Sequence, residues 1–202
     1  MRANLPHNLR LGSDGLPRPL ENPGLFVITG GPGTGKTTTL TELQRRGFAC
    51  LPEEARRIIQ EQVRSNGDAL PWANTRRYAE LMLERSIASF RQFASARGPI
   101  FVDRGIPDVY CYTRLIDLPV TDDLRAACKG YRYNRRVFLA PPWPEIYRTD
   151  EERKQTPAEA VTVYEQMRVV YPECGYELIE LPRTTPEERA DFILRNLEGQ
   201  AI

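Results

Sequence analysis

Histidine is nearly absent from this chain: His7 is the only one, and it sits in a stretch rich in proline and glycine. That sets aside Ser-His-Asp and Cys-His chemistry, which place an imidazole beside a nucleophile. Cysteine is sparse as well. Cys50, Cys111, Cys128 and Cys174 are widely scattered, with no C-x-x-C pair and no Cys/His cluster of metal-ligating spacing. They read as free thiols of a reducing compartment, not as a disulfide framework or zinc site. No apolar run approaches the roughly 20 residues of a membrane span. The N-terminus lacks a basic-then-apolar signal pattern, so a cytoplasmic location is expected. Charge of one sign is also missing, because 28 Lys+Arg against 27 Asp+Glu leave a net charge of +1. No global field therefore draws the chain to nucleic acid or to an acidic membrane.

The 202 residues that remain suit one α/β domain with an ample core. Their clearest signal is residues 25–40, LFVITGGPGTGKTTTL. The apolar run 25–29 reads as a buried parallel strand. Gly30-Gly31-Pro32-Gly33-Thr34-Gly35-Lys36-Thr37 then fits G-x-x-x-x-G-K-[ST], and 38–46 reads as a helix. Glycines here open backbone angles closed to other residues and let a phosphate approach the amides. The amides from Gly31 to Thr38, with the helix N-terminus, form an anion cradle. Lys36 is placed to reach β- and γ-phosphates, and the Thr37 hydroxyl to ligate Mg²⁺. A guanine-specific N/T-K-x-D motif is missing near the fourth strand, which favours ATP over GTP.

The rest of the chain falls in order around this loop. Residues 1–24 read as an extended lead-in and 25–202 as the domain. After Gly47, residues 48–51 form a second strand, stopped by Pro52. Glu53 and Glu54 open a helix with Ala55, Ile58, Ile59, Gln62 and Val63 on its apolar side. Acidic residues suit a helix's first turn. Alternatively, one of the two projects from the strand's carboxyl edge, where open parallel sheets bind ligands. A loop at 65–74 leads into a long helix over 75–97, with Arg76 and Arg77 in its first turn. The third strand, 100–102, runs into Asp103-Arg104-Gly105. An acidic residue there is the Walker B pattern that holds Mg²⁺, although aspartate after a strand also caps helices. Arg104 is a planar anion clamp suited to an acceptor phosphate or carboxylate.

Asp108, Tyr110 and Tyr112 fall in the next helix, the aromatics reading as core. A short polar helix at 122–129 precedes the aromatic and basic run 131–136, with Arg132, Arg135 and Arg136. That run reads as a surface cluster or as a weak nucleic-acid patch. The fourth strand is 137–140, followed by a stiff Pro141-Pro142-Trp143-Pro144 exit. Residues 145–155, EIYRTDEERKQ, read either as an exposed helix with i,i+4 pairs or as an arginine-rich lid. A helix over 158–171 buries Ala160, Val161, Val163, Tyr164, Met167, Val170 and Tyr171. Strand 177–181 and a final helix over 186–197, packing through Ala190, Phe192, Ile193 and Leu197, close the chain. Strands separated by helices ask for a doubly wound parallel sheet with right-handed crossovers.

With its phosphate loop, Glu53-Glu54, Asp103-Arg104 and lid, the chain resembles P-loop kinases. The resemblance implies a P-loop NTPase fold: a five-stranded parallel sheet of order 2-3-1-4-5, helices on both faces and an arginine-rich lid. FVITGGPGTGKTTTL, LPEEARRII, FVDRGIPD and YRTDEERKQ more closely resemble a small AAA-type "predicted ATPase" family related to the ribosylnicotinamide kinase domain. The likeness runs over residues 25–197. It implies that Lys36 and Thr37 are the phosphate-loop lysine and Mg²⁺ ligand. Glu53 matches the carboxylate that takes the acceptor's proton, and Asp103-Arg104 the pair after the third strand. Arg148 and Arg153 match lid arginines, and Pro182 and Arg183 sit where such kinases contact adenine. Gly105 stands where deoxynucleoside kinases commonly have serine.

The reading expected to hold is transfer of the ATP γ-phosphoryl group to a small acceptor or to water. Two others compete with it: a nucleotide-dependent switch that orders its lid for a protein partner, and a nucleic-acid end kinase built on Arg132, Arg135 and Arg136. No oligomeric state can be read from the sequence.

Overall fold

The computed structural model describes residues 18–146 and 156–197. Its centre is a five-stranded parallel sheet of β2 (Leu25–Gly30), β3 (Ala49–Leu51), β4 (Ile100–Asp103), β6 (Arg136–Ala140) and β7 (Glu177–Glu180), in the order β3-β4-β2-β6-β7. Numbered along the chain within this sheet, the order is 2-3-1-4-5. Every residue of β2 is buried because it is the middle strand, covered on both faces.

The two faces divide its side chains by the period of two. Leu25 and Val27 enter one core with Val102, Val137 and Leu139, while Phe26 and Ile28 enter the other with Phe101, Phe138 and Ala140. The first face is covered by α2 (Glu54–Ser65), α3 (Thr75–Phe93), α4 (Ile106–Leu115), α5 (Asp122–Gly130) and α6 (Pro157–Glu173), through Ile58, Met82, Val109, Leu124 and Met167. The second is covered by α1 (Lys36–Arg45) and α7 (Pro186–Arg195), through Leu40, Leu43, Ala190 and Ile193.

Register sets what the sheet presents at its carboxyl edge. Ile28 lies opposite Asp103 on one side, and Gly30 opposite Ala140 on the other. Gly30 has φ of 143°, and a Cβ there would stand 2.5 Å from the Ala140 carbonyl oxygen. Only glycine lets the chain leave the strand at that point.

Several expectations need correction. Val63 and Val161, read as buried, are 56% and 46% exposed. The α2 stripe turns inward at Ile58, while Ala160, Met167, Val170 and Tyr171 of α6 are buried as expected. The stretch read as lead-in is docked from β1 (Leu20–Glu21) onward, which pairs in parallel with β5 (Tyr131–Arg132). Asn22 fastens it: Nδ2 donates to the Phe93 and Ala96 carbonyls at 2.8 and 3.1 Å. The 131–136 run is not a surface patch. Tyr131 and Tyr133 are buried, and the Arg132 guanidinium donates to the Cys128 and Cys174 carbonyls at 3.1 and 2.7 Å while stacking on Tyr176. Arg136 donates to the Asn196 carbonyl, leaving only Arg135 of these arginines exposed. No helix among the described residues is long and apolar enough to cross a membrane.

Candidate active site

The glycine-rich loop leaves β2 and enters α1, with Gly33 and Gly35 at φ of 69° and 82°. Gly31, Pro32 and Thr34 are buried, whereas the Thr37 and Thr38 side chains at the start of α1 face solvent. Thr34 closes the turn by donating its hydroxyl to the Gly31 carbonyl at 2.9 Å. Lys36 is buried, and its ammonium donates to the carbonyls of Gly30 and Gly31 at 2.9 and 2.7 Å. Burial, reinforced by the Arg104 charge, lowers its pKa to about 8.

Across the sheet edge stands an acid–base cluster built by the ends of three elements. Asp103 closes β4 and is buried. Burial raises its pKa to about 6 despite the pull of Lys36, and its Oδ1 has no hydrogen-bond partner among the described residues. Arg104 follows in the left-handed region at φ of 68°, held there by its N–H bond to the Ile28 carbonyl at 3.1 Å. Its guanidinium donates to Glu53 Oε1 at 2.6 Å and to Asp108 Oδ1 at 3.2 Å. Burial works against this cation, yet Glu53, Asp108 and Asp103 together hold its pKa above the ordinary arginine range.

Of the two adjacent glutamates, Glu53 meets Arg104, whereas Glu54 meets Arg57 at 3.0 Å. Arg104, expected to clamp an anionic acceptor, clamps two carboxylates of its own chain.

Lys36, Glu53, Asp103 and Arg104 thus come together, close enough that the other three all shift the Lys36 pKa. Thr37 joins them, lining one cleft with Asp103 and Glu53. Pro182 and Arg183 lie on the other flank of the loop. Arg183 is exposed and donates to the Pro142 carbonyl at 2.9 Å, and the Pro182 carbonyl accepts from Arg189 at 2.7 Å. Arg148 and Arg153, the expected lid arginines, lie outside the described residues.

Two important residues escaped the sequence reading. Asp108 is a buried hub: its carboxylate accepts from the Thr29 hydroxyl at 2.5 Å, the Gly105 N–H at 2.7 Å, Arg104 and the Tyr171 hydroxyl. Arg189 is 1% exposed, donates Nη1 to the Thr34 carbonyl at 2.6 Å, and lies over the Trp143 ring. Burial, with the Arg183 charge nearby, lowers its pKa to about 10, and its Nη2 has no hydrogen-bond partner among the described residues. Its signal was an arginine in register with Ile193 and Leu197 on the apolar stripe of the last helix.

The donors present suit Mg²⁺. A hydroxyl at Thr37 and an orphaned, buried carboxylate oxygen at Asp103 are hard oxygen ligands on one cleft. That ion is typically held by one or two carboxylates plus phosphates and water.

A phosphate loop on the central strand of a parallel sheet, with a buried carboxylate ending the strand beside it, defines a P-loop kinase-like, nucleotide-binding domain. A family model described as an AAA domain matches residues 25–189, and the chain belongs to that family. No curated protein matches it. Among solved structures it is similar to NadR in complex with NR, at 20% identity and a TM-score of 0.64, covering 88% of this chain and 51% of that one. The chain thus spans about half the length of NadR. It is also similar to deoxyadenosine kinase from M. mycoides with bound dATP, at 14% identity and a TM-score of 0.62, covering 87% of this chain and 100% of that one. Shikimate kinase from Acinetobacter baumannii, in complex with shikimate, follows at 15% identity and a TM-score of 0.50, covering 86% and 92%. At these identities the likeness shows the fold.

Proposed function

We propose that this protein is an ATP- and Mg²⁺-dependent phosphotransferase that moves the γ-phosphoryl group to the hydroxyl of a small acceptor. The observation that carries the reading is the Glu53–Arg104 pair at 2.6 Å, set with Asp103 at the sheet edge facing Lys36. The small molecules bound to the similar kinases support an acceptor of that size.

The residues divide the work. Amides from Gly31 to Thr38 cradle the phosphates, and Lys36 exchanges its two loop carbonyls for phosphate oxygens. Thr37 and Asp103 hold Mg²⁺, which when bound offsets charge on the transferring group. Glu53 takes the acceptor's proton while Arg104 fixes its carboxylate. Arg148 and Arg153 are proposed as lid donors to the same phosphates, and Pro182 and Arg183 as contacts to the base. Positioning and charge compensation supply most of the rate.

The test is ADP formation from Mg²⁺-ATP across a panel of small hydroxyl compounds. The expected outcome is acceptor-dependent ADP that falls about 100-fold in Glu53→Gln, the scale of a lost general base. Undiminished turnover in that variant would overturn the assignment of Glu53, and ADP formed equally without any acceptor would make water the acceptor.

A further inference from the structure

We infer that the acceptor is a compact organic anion whose phosphate or carboxylate is held by Arg56 and Arg57 of α2, with its reacting hydroxyl at Glu53 and Asp103. This rests on the phosphotransferase reading and names the acceptor class for it.

Two cavities share Glu53 and Asp103 but differ in size and charge. The one beside Arg104, between α2, α3 and α4, holds about 20 Å³, little more than one water. Among the described residues Arg104 is its one basic side chain, against Glu53, Glu54, Asp103 and Asp108. Two of those carboxylates already occupy the guanidinium. An anion entering there meets surplus negative charge and no space. The cleft between α1 and α2 holds about 290 Å³ and carries Thr37, Asp103 and Glu53 at one end and Arg56, Arg57 and Gln60 along its α2 wall. That volume, more than ten times the other, is enough for a small phosphorylated or carboxylated alcohol.

The placement of the two arginines points the same way. They are the third and fourth residues of α2, within the first turn, where the helix dipole disfavours cations and favours anions. Arg57 meets Glu54 in an exposed pair that an incoming anion can displace with little loss. Arg56 is half-buried on the same wall. The Glu53 and Asp103 carboxylates on the same cleft disfavour an anionic group beside them, which orients the acceptor with its anion toward the two arginines. Helix dipole, arginine pair and carboxylate end therefore align one polar molecule along the cleft.

The experiment compares matched acceptors on the full chain: ribose against ribose 5-phosphate, and glycerol against glycerate. ADP formation and calorimetric binding are both measured, with excess Mg²⁺ to exclude chelation. The phosphate and carboxylate pairs separate the two anion chemistries. The expected result is preference for an anionic member, lost by tenfold or more in KM in Arg56→Gln/Arg57→Gln. ATP affinity, read with a fluorescent ATP analogue, stays unchanged, and Arg56→Lys/Arg57→Lys recovers part of the loss. Unchanged thermal midpoints in both variants exclude misfolding as the cause. Equal use of neutral and anionic members, or a double Gln variant with wild-type KM, overturns the inference while leaving phosphotransfer standing. Selective anion binding abolished by the double variant but without ADP formation supports the subsite and overturns the transfer. Neither selective binding nor acceptor-dependent ADP overturns both.

Discussion

Two arginines, one half-buried and one buried, flank the phosphate loop, and they are stabilised in opposite ways. Arg104 sits among Glu53, Asp108 and Asp103, and these carboxylates hold its charge firmly. Arg189 meets no carboxylate among the described residues: it donates to the Thr34 and Pro182 carbonyls, stacks on Trp143, and its pKa falls to about 10. The first is compensated within the chain, so its removal strands carboxylates. The second is a cation held, among the described residues, by carbonyls alone and packed against the back of the phosphate loop. Burying it so costs stability.

The largest expected effect stands outside the pair and sets the scale. Lys36→Ala should remove more than about 3 kcal/mol of transition-state stabilisation, the size of a lost electrostatic donor. Wild-type-like ADP formation by that variant would sink the proposed mechanism. Next, Arg104→Met should cost about 3 kcal/mol in chemical denaturation, because two half-buried or buried carboxylates lose their counter-charge. Arg189→Met should change ligand-free stability by no more than about 1 kcal/mol, since relief from burying an unpaired charge offsets two lost charge-assisted bonds. Its nucleotide affinity should instead fall about tenfold, or about 1.4 kcal/mol. An Arg189→Met protein as unstable as Arg104→Met, with unaltered affinity, would erase the distinction.

Asp103 sharpens the comparison from the acidic side. Its pKa rises from 3.8 to about 6 in the folded chain, so the folded state binds its proton more tightly than the unfolded one. This contribution is fully present below about pH 4 and is lost as pH rises through about 6. Ligand-free stability should therefore carry an increment that grows between pH 7 and pH 4, and Asp103→Asn should remove that increment. At pH 7 the variant should be about 3 kcal/mol more stable than the wild type, the worth of a rise from 3.8 to about 6, while losing Mg²⁺-dependent turnover. A flat difference between the two proteins across that range would show that Asp103 carries no burial penalty. The smallest effect belongs to Tyr171→Phe, which removes one donor to Asp108 and should cost about 1 kcal/mol.

Much of this was legible in the chain because the signals were local. The run 25–40 carries strand, loop and helix within sixteen residues, and each step follows from glycine geometry and apolar patterning. Asp103 was legible for the same reason, as an acid ending an apolar strand. Asp108 was not, because its four donors come from β2, the loop before α4, Arg104 and α6. Val63 and Val161 misled because an apolar side chain at helical spacing says nothing about how wide the covering layer is. Arg132 read as surface charge, since only the fold brings the Cys174 carbonyl and the Tyr176 ring to it.

Local chemistry was enough for the phosphate loop and the alternating strands and helices, since backbone freedom and hydrophobic period act between near neighbours; the P-loop kinase class came from the resemblance of its motifs. Choosing between Glu53 and Glu54 required packing: they are adjacent in sequence, yet one meets Arg104 and the other Arg57. Packing also turned Arg104 inward onto its own carboxylates, opened the wider cleft on the α2 side, and drove Arg189 beneath the loop. Those outcomes depend on burial and on charges from distant parts of the chain, and both exist only once the sheet has assembled.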